Sequence, residues 1–572
     1  MKRLLIANRG EIARRIIRTA GRMGIETVAV YSQPDAGALH VREATLAFPL
    51  GGSTSAESYL RIDRILEAAR ATGADALHPG YGFLSENADF AQAVVEAGLL
   101  WVGPPAAAIR ALGSKSGCKQ LAQSRGVPCL PGYQGEDQTD ARFAAEAERI
   151  GYPVMVKAAA GGGGRGMRLV TEAAALAAAV QSARSEALSA FGSGELLLER
   201  ALLQPRHVEV QVFADVQGHC IHLGERDCSV QRRHQKIIEE TPSPAVDADL
   251  RARMGRCAVE LAQAAGYVGA GTVEFLLDPS TGSGRTEFFL MEMNTRLQVE
   301  HPVTEAVTGL DLVEWQLRIA RGEALALAQE ELRFDGHAIE VRLCAEDENF
   351  TPHAGTVLHF RPPAGLRFDH ALFEGLEVPP YYDSMLGKLV AHAPTRHEAI
   401  DRLAAALDRL ELLGLPTNRR LLAACLRHPE FRAGRALVPF LGQQGDALRE
   451  MLQKEEQTVT AGCALAALFP PKAAVELVSP FDRPVRLRHR GDITEWRVRE
   501  AAGVDSLPGP AVQLPDGRWH AQTGAIDLFF EDASFEPPGG AGGGAGGSEL
   551  RAPFNGKVIA VQAAAGCTVR KG

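Results

Sequence analysis

The sequence predicts a multidomain chain of mixed α/β and α+β class. Three observations carry this. At 572 residues the chain is too long for one hydrophobic core, and roughly three to five domains are expected. Residues 2–110 alternate short apolar runs with amphipathic segments, the pattern of a doubly wound parallel sheet. From about residue 446 the pattern changes to short apolar-polar alternations divided by Gly, Pro and Asp, as in an antiparallel β unit or small barrel.

Taken in order, Leu4–Ala7 reads as a buried strand, Glu11–Met23 as an amphipathic helix and Glu26–Tyr31 as a second strand, and the alternation runs on to Trp101. No G-x-G-x-x-G follows the first strand, so dinucleotide binding is not supported. Residues 1–113 form the first domain. Residues 114–130 read as a helical connector and 131–203 as a small α/β unit with the Gly-rich loop 161–166. Residues 204–445 are the largest block, with long strands and then helices at Ala399–Leu412 and Arg419–Arg427. Within 446–536, Val485-Arg-Leu-Arg-His and Glu495-Trp-Arg-Val-Arg alternate as strands do. Residues 537–548 are a Gly/Pro-rich linker by composition. Residues 549–572 resume a strand–turn–strand pattern, and the chain as given stops inside it.

Composition narrows the function classes. The net charge of −9, from 61 basic and 70 acidic residues, argues against broad nucleic-acid binding. Nine cysteines without a C-x-x-C pair suggest neither a disulfide framework nor a structural zinc site. The N-terminus runs straight into a strand, with no signal-peptide core, and no apolar span suits a membrane helix. The expectation is a cytoplasmic protein with no nucleic-acid or membrane partner.

The chemistry concentrates in a few segments. Glu292 and Asn294 are two apart in Glu-Met-Asn-Thr-Arg-Leu-Gln-Val-Glu-His, so on a strand they face one side. Glu274 lies upstream in Gly-Thr-Val-Glu-Phe-Leu, a second strand pattern. Two carboxylates and an amide oxygen make a hard oxygen site suited to Mg²⁺ with nucleotide phosphates. Arg296, Gln298 and Glu300 continue the alternating spacing, adding a cation and a further acid for a small oxyanion. A plain charged strand face is the bland alternative. Lys157 closes an apolar strand just before Gly161-Gly-Gly-Gly-Arg-Gly166. Glycines let successive backbone N–H groups converge on phosphate oxygens, with the lysine adding charge. It is not a Walker A loop, since G-K-[ST] is missing, and a flexible hairpin is the alternative. Glu225 to Glu240 is dense in anion-binding groups, Arg226, Arg232, Arg233, His234 and Lys236 among them. Cys228 reads as a small buried residue rather than a nucleophile. Arg342 sits on another alternating strand, and segment 78–87 has turn chemistry that suits a loop over a ligand.

Together, Ile6-Ala-Asn-Arg-Gly-Glu-Ile, His78-Pro-Gly-Tyr-Gly-Phe-Leu-Ser-Glu-Asn, the Lys157 and 161–167 segment, Glu225-Arg-Asp-Cys-Ser-Val-Gln-Arg-Arg-His-Gln-Lys and the 292–301 segment resemble biotin carboxylase, an ATP-grasp enzyme. The resemblance covers about 1–445. It implies a pre-ATP-grasp doubly wound domain at 1–113, and a connector with a small mobile ATP-grasp lid at 114–203. The catalytic core and the C-terminal carboxylase domain then fill 204–445. Residues 446–536 resemble the β-barrel mediator domain of acyl-CoA carboxylase α subunits. Residues 549–572 resemble part of a β-sandwich biotinyl carrier domain, after the 537–548 linker.

Residue by residue, the resemblance implies that Lys115, Lys157, Gly162, Gly163, Gly164 and Gly166 hold ATP phosphates. Met167, Glu199, Leu202, His207, Gln231 and His234 line the nucleotide site. Glu274, Glu292 and Asn294 bind Mg²⁺ (or Mn²⁺). Arg296, Gln298 and Val299 hold bicarbonate with Lys236 nearby, Glu300 removes its proton, and Arg342 steadies the enolate of biotin. It further implies a hetero-oligomer with a carboxyltransferase β subunit that chooses the acyl-CoA, such as methylcrotonyl-, geranyl- or propionyl-CoA. Three departures stand out. Arg200 replaces a common Lys, Phe554 replaces the Met of Ala-Pro-Met, and the Ala-Met-Lys-Met segment whose lysine carries biotin is not reached before Gly572. The rivals are another ATP-grasp carboxylate or carbamoyl ligase and a non-catalytic assembly subunit. Retention of Glu274, Glu292, Lys236 and Glu300 speaks against the second.

Overall fold

Five short strands open the chain: β1 (Arg3–Ile6), β2 (Glu26–Tyr31), β3 (Leu46–Pro49), β4 (Ala76–His78) and β5 (Leu100–Trp101). They form a parallel sheet in the order β3-β2-β1-β4-β5. The computed structural model describes residues 1–159, 166–232, 234–279, 286–468, 481–498 and 509–536. Helices on both faces force continuous apolar strands such as Leu4-Leu5-Ile6, all fully buried. Helix Gly10–Arg22 puts Ile12, Ala13, Ile16, Ile17 and Ala20 on one stripe against that sheet. The strand order reverses between β1 and β4, which opens a crevice at their carboxyl ends. Asn8 follows β1 there and donates to the carbonyls of Pro79 and Tyr81 at 2.8 and 2.7 Å, fixing the loop after β4.

A small antiparallel sheet comes next: β6 (Gly132–Tyr133), β7 (Val154–Ala158), β8 (Arg168–Val170) and β9 (Leu196–Arg200), in the order β6-β9-β7-β8. Helices Asp140–Ile150 and Leu176–Phe191 cover it, and the unit has its own apolar core around Phe143, Val156, Val180 and Leu198. Gly162, Gly163 and Gly164 lie outside the described residues.

The central sheet has eight antiparallel strands. Six of them are β10 (Arg206–Ala214), β11 (Cys220–Arg232), β12 (Gln235–Thr241), β13 (Gly269–Asp278), β14 (Glu287–Asn294) and β15 (His337–Cys344). Their order is β14-β13-β10-β11-β12-β15, extended by strands Met385–Ala393 and Arg367–His370.

Three elements differ from the sequence reading. The helix expected to reach Leu412 ends at Arg409, because Glu411–Leu413 pairs as a strand with His359–Arg361. Residues 446–468 are not β. They continue one helix, Phe440–Leu468, whose Ala, Leu, Glu and Gln content favours that state. Among the described residues the β unit begins at Arg483. Arg296, Gln298 and Glu300 do not extend β14. The strand ends at Asn294, and Glu300 caps helix His301–Thr308, whose early Pro302 suits a first turn.

The last described unit is a five-stranded antiparallel sheet of Arg483–His489, Asp492–Val498, Ala511–Gln513, Trp519–Thr523 and Ile526–Asp532. It packs on the end of the long helix through Cys463, Ala464, Leu487 and Phe530. Polar contacts tie it to the carboxylase block. Gln522 donates to the Leu410 carbonyl at 2.7 Å, the Gly414 N–H donates to His520 at 3.0 Å, and Arg419 pairs with Asp527 at 2.8 Å. The linker 537–548 and the segment 549–572 lie outside the described residues. Among the described residues, no helix is long and apolar enough to cross a membrane.

Candidate active site

One cleft of about 410 Å³ runs from the small sheet across the central sheet. Register explains its contents. Directly opposed residues on neighbouring strands share a face. Glu209 on β10 opposes both Arg226 on β11 and Glu274 on β13. Glu274 opposes Glu292, and Asn294 lies two residues further along β14. The three oxygen donors expected from the sequence are thus brought onto one face. Hard carboxylate and amide oxygens fit Mg²⁺.

A β-bulge shapes the other half. Val230 pairs with Ile238 and Gln231 with Lys236, so Ile237 is an extra residue in β12. The extra residue brings Lys236 and Glu239, three apart, to the same face. The Lys236 ammonium contacts Glu209 at 2.5 Å, Glu274 at 2.8 Å and Glu300 at 2.8 Å. Arg342 bridges Glu239 at 2.6 Å and Glu300 at 3.1 Å. Glu300 has no exposed surface. Burial alone would raise its pKa, but Lys236, Arg342 and Arg226 hold it well below the usual carboxylate range. Burial likewise opposes the Lys236 charge, yet its three carboxylates push that ammonium well above the ordinary lysine value.

The loop from Thr295 to Glu300 is pinned at several points. Glu86, from the 78–87 segment, accepts from the Thr295 N–H at 3.1 Å and from Arg296 at 2.9 Å. Arg296 also donates to Gln298 at 2.8 Å and Asn294 at 3.0 Å. Fully buried Lys388 donates to the Val299 carbonyl at 2.6 Å.

At the other end of the cleft the charges alternate again. Lys115 meets Glu292 at 2.8 Å, and Lys157 meets Glu199 at 2.5 Å. Lys119 also contacts Glu199. Burial opposes the charge of both lysines, and the buried Glu199 carboxylate between them favours it. His207 contacts Glu274 at 3.0 Å and Gln231 at 3.3 Å.

The residues read from the sequence therefore come together. Lys115, Lys157, Met167, Glu199, His207, Gln231, His234, Lys236, Glu274, Glu292, Asn294, Arg296, Gln298, Val299 and Arg342 all line the cleft. Glu300 sits behind Lys236 and Arg342. Gly166 is buried beside Ala158 at φ +72°, where a side chain would be strained. Leu202 is half-buried after β9 and is not among the described lining residues. Cys228 is fully buried, and burial pushes its thiol well above the usual value, so it is inert. His207, Glu209 and Glu274 bring donor atoms within 4.8 Å of one another, and the Lys236 ammonium contacts both acids.

Sequence reasoning missed Lys119, Glu209, Glu239 and Lys388. Two had a readable signal: Lys119 is four residues after Lys115 on helix Lys115–Ser124, and Glu209 is two after His207 on β10. The bulge that turns Glu239 inward has no local sequence mark.

Comparison with known proteins agrees along the chain. Residues 1–109 match the biotin carboxylase N-terminal domain, 114–328 the carbamoyl-phosphate synthase L chain ATP-binding domain, and 340–443 the biotin carboxylase C-terminal domain. The mitochondrial methylcrotonoyl-CoA carboxylase subunit alpha of Dictyostelium discoideum is 49% identical over 444 residues, 77% of this chain but 63% of that relative. The biotin carboxylase domain of Hydrogenobacter thermophilus 2-oxoglutarate carboxylase, solved with MgADP, ADP and bicarbonate, superposes with a TM-score of 0.76 at 42% identity, covering 78% of this chain and 98% of that one. The biotin carboxylase of Halalkalibacterium halodurans is 50% identical over 443 residues, spanning 77% of this chain and 97% of its own length. The chain belongs to the biotin carboxylase family, ATP-grasp ligases that use ATP, Mg²⁺ and biotin.

Proposed function

We propose that this chain carboxylates biotin with ATP and bicarbonate, as the α subunit of an acyl-CoA carboxylase. One observation carries the reading. A fully buried carboxylate, Glu300, is held between Lys236 and Arg342 at the head of a cleft whose other end bears Lys115 and Lys157. Lys115 and Lys157, with the Gly-rich loop, hold the nucleotide phosphates, while Glu199, His207, Gln231 and His234 line the nucleotide end. Glu274, Glu292 and Asn294 would hold Mg²⁺ (or Mn²⁺). When bound, that ion offsets phosphate charge and orients the γ-phosphoryl group.

Arg296, Gln298 and the Val299 backbone hold bicarbonate beside Lys236. Glu300 takes the bicarbonate proton as the bicarbonate oxygen attacks the γ-phosphorus and ADP leaves. The resulting carboxyphosphate breaks down to CO₂ and phosphate; the phosphate takes the biotin N1′ proton, and the N1′ lone pair then forms its bond to CO₂. A deeply depressed carboxylate is a weak base until its cations are shared with a substrate. Lys236 turning to bicarbonate and Arg342 to the biotin ureido oxygen would each loosen their hold on Glu300 and raise its basicity. On this reading the basicity of Glu300 follows occupancy of the site.

The acyl-CoA is the business of a carboxyltransferase β subunit, and methylcrotonyl-CoA is favoured by the names of the relatives. The mediator role of residues 446–536, the carrier role of 549–572, the hetero-oligomer and a cytoplasmic location belong to the same proposal. A general ATP-grasp carbamoyl ligase is less favoured, because carboxylase-type domains flank the ATP-binding segment on both sides. The test is ATP hydrolysis by the purified chain with Mg²⁺. It should require bicarbonate and speed up with free biotin, with labelled bicarbonate appearing in carboxybiotin. Turnover indifferent to bicarbonate would sink the reading.

A further inference from the structure

Behind the base, the catalytic face buries more acid than its cations can balance. Glu239 on β12 stands directly opposite Glu340 on β15. Both have no exposed surface. Arg342 lies two residues along β15 on the same face, opposite Lys388 on strand Met385–Ala393. Glu300 closes the group from the start of helix His301–Thr308. Three acids thus share the neighbourhood of two cations, Arg342 and Lys388. Lys388 is shared with Glu11 and the Val299 carbonyl, and Lys236 is shared with Glu209 and Glu274. On β11, Arg226 pairs with Glu209 and also faces Glu300, and Cys228 adds no cation. The unmatched acid shows in the hydrogen bonds: Glu239 Oε2 and both oxygens of Glu340 lack any partner among the described residues. A buried carboxylate pair with too little counter-charge keeps a proton.

The geometry points to Glu239 as a positioning residue that clamps the Arg342 guanidinium against Glu300, with Glu340 opposite it protonated. This rests on the biotin-carboxylation reading and assigns a role outside the residues that touch substrate. One nitrogen, Arg342 Nη2, meets both Glu239 Oε1 at 2.5 Å and Glu300 Oε2 at 3.1 Å, so the shorter contact decides where the guanidinium rests. A charged Glu239 holds Arg342 beside Glu300 at the wall of the cleft. A protonated Glu239 loosens the clamp. Burial pushes Glu239 up to about 7, with Arg342 and Lys236 opposing and Glu300 adding to the rise. Burial pushes Glu340 well above the carboxylate range, Glu239 and Glu300 adding and Lys388 and Arg342 opposing. Biotin use should therefore titrate near neutrality, as Glu239 gains its proton below about 7.

The experiment measures KM for free biotin, kcat and ATP affinity from pH 6 to 9 for wild type, Glu239→Ala, Glu239→Gln and Glu340→Gln. In Glu239→Ala the biotin KM should rise about tenfold, the scale of one lost charge-assisted contact, with ATP affinity within twofold. Glu239→Gln is neutral but keeps an acceptor oxygen, as protonated Glu239 does, so at every pH its KM should match the wild-type value at pH 6, between wild type at pH 8 and Glu239→Ala. The inflection of biotin KM near neutral pH should vanish in it. Glu340→Gln mimics the protonated state and should resemble wild type at pH 8. A wild-type KM and inflection in Glu239→Ala would overturn the proposal. So would equal losses of ATP and biotin binding in both Glu239 variants, the mark of a purely structural role. A wild-type chain without biotin-stimulated turnover would remove the reading beneath it, which separates the two failures.

Discussion

Replacing Glu300 by Gln removes a charge and keeps the side-chain volume. Wild-type Glu300 accepts from Lys236 at 2.8 Å and from Arg342 at 3.1 Å. Gln retains one oxygen acceptor, so one of these contacts is lost. Neither cation is stranded, since Lys236 keeps Glu209 and Glu274 and Arg342 keeps Glu239. The stability cost is then one hydrogen bond to a charged group, about 1.5–3 kcal/mol. A domain stable by about 5–15 kcal/mol stays folded through that loss. The catalytic cost is larger: losing a general base lowers turnover by roughly 10²–10⁴-fold, about 3–5 kcal/mol in the barrier. Nucleotide affinity should stay within about twofold, because Lys115 and Lys157 lie at the other end of the cleft. Since the Glu300 carboxylate is depressed, its contribution to stability is present above about 4.3, the unfolded value, and fades as pH falls below it. The variant should lack that acid-side loss. The assay is bicarbonate-dependent ATP hydrolysis with free biotin, beside calorimetric ATP titration and thermal melting. Turnover within threefold of wild type in a folded variant would refute Glu300 as the base.

Lys157 lines the cleft and pairs with the buried Glu199 carboxylate at 2.5 Å. Lys157→Gln should weaken ATP binding by about tenfold or more, read by calorimetry, and an unchanged affinity would refute its place at the phosphates. Glu292→Gln should raise the Mg²⁺ concentration for half-maximal turnover by about tenfold while the protein still melts as wild type, and an unchanged Mg²⁺ dependence would remove Glu292 from the ion's ligands. Asp527→Ala should loosen the last sheet. Arg419, 1% exposed, would keep only backbone carbonyls, and breaking such a buried pair costs about 3–5 kcal/mol. Asp527 is depressed to about 2, so this support is complete above about 4 and is lost as pH falls towards 2. Urea unfolding at pH 7 should show the loss, and an unchanged midpoint would refute it.

How much of this was legible depends on how local the cause is. The parallel sheet was readable because its buried strands are continuous apolar runs and its helices carry a clean stripe. Glu292 and Asn294 were readable because a strand alternates, and that rule needs no partner. It failed one residue later. Arg296, Gln298 and Glu300 keep the same spacing, but Asn294 ends the strand and Glu300 starts a helix ahead of Pro302. What holds them is non-local: Glu86, 209 residues before Thr295, and Lys388, 89 residues after Val299. Glu239 was illegible for the same reason. By alternation it should face away from Lys236, and only the pairing of β12 with β11 inserts Ile237 as a bulge and turns it inward. The helix over 446–468 is the opposite case, since its Ala, Leu and Glu content gave a local signal. The Gly- and Pro-divided strands downstream mask that signal when 446–536 is read as one unit. Local periodicity names the side chains that can share a face. The pairing of strands far apart in sequence decides which of them meet, and here it brings Glu239 and the Arg342 guanidinium together beside Glu300.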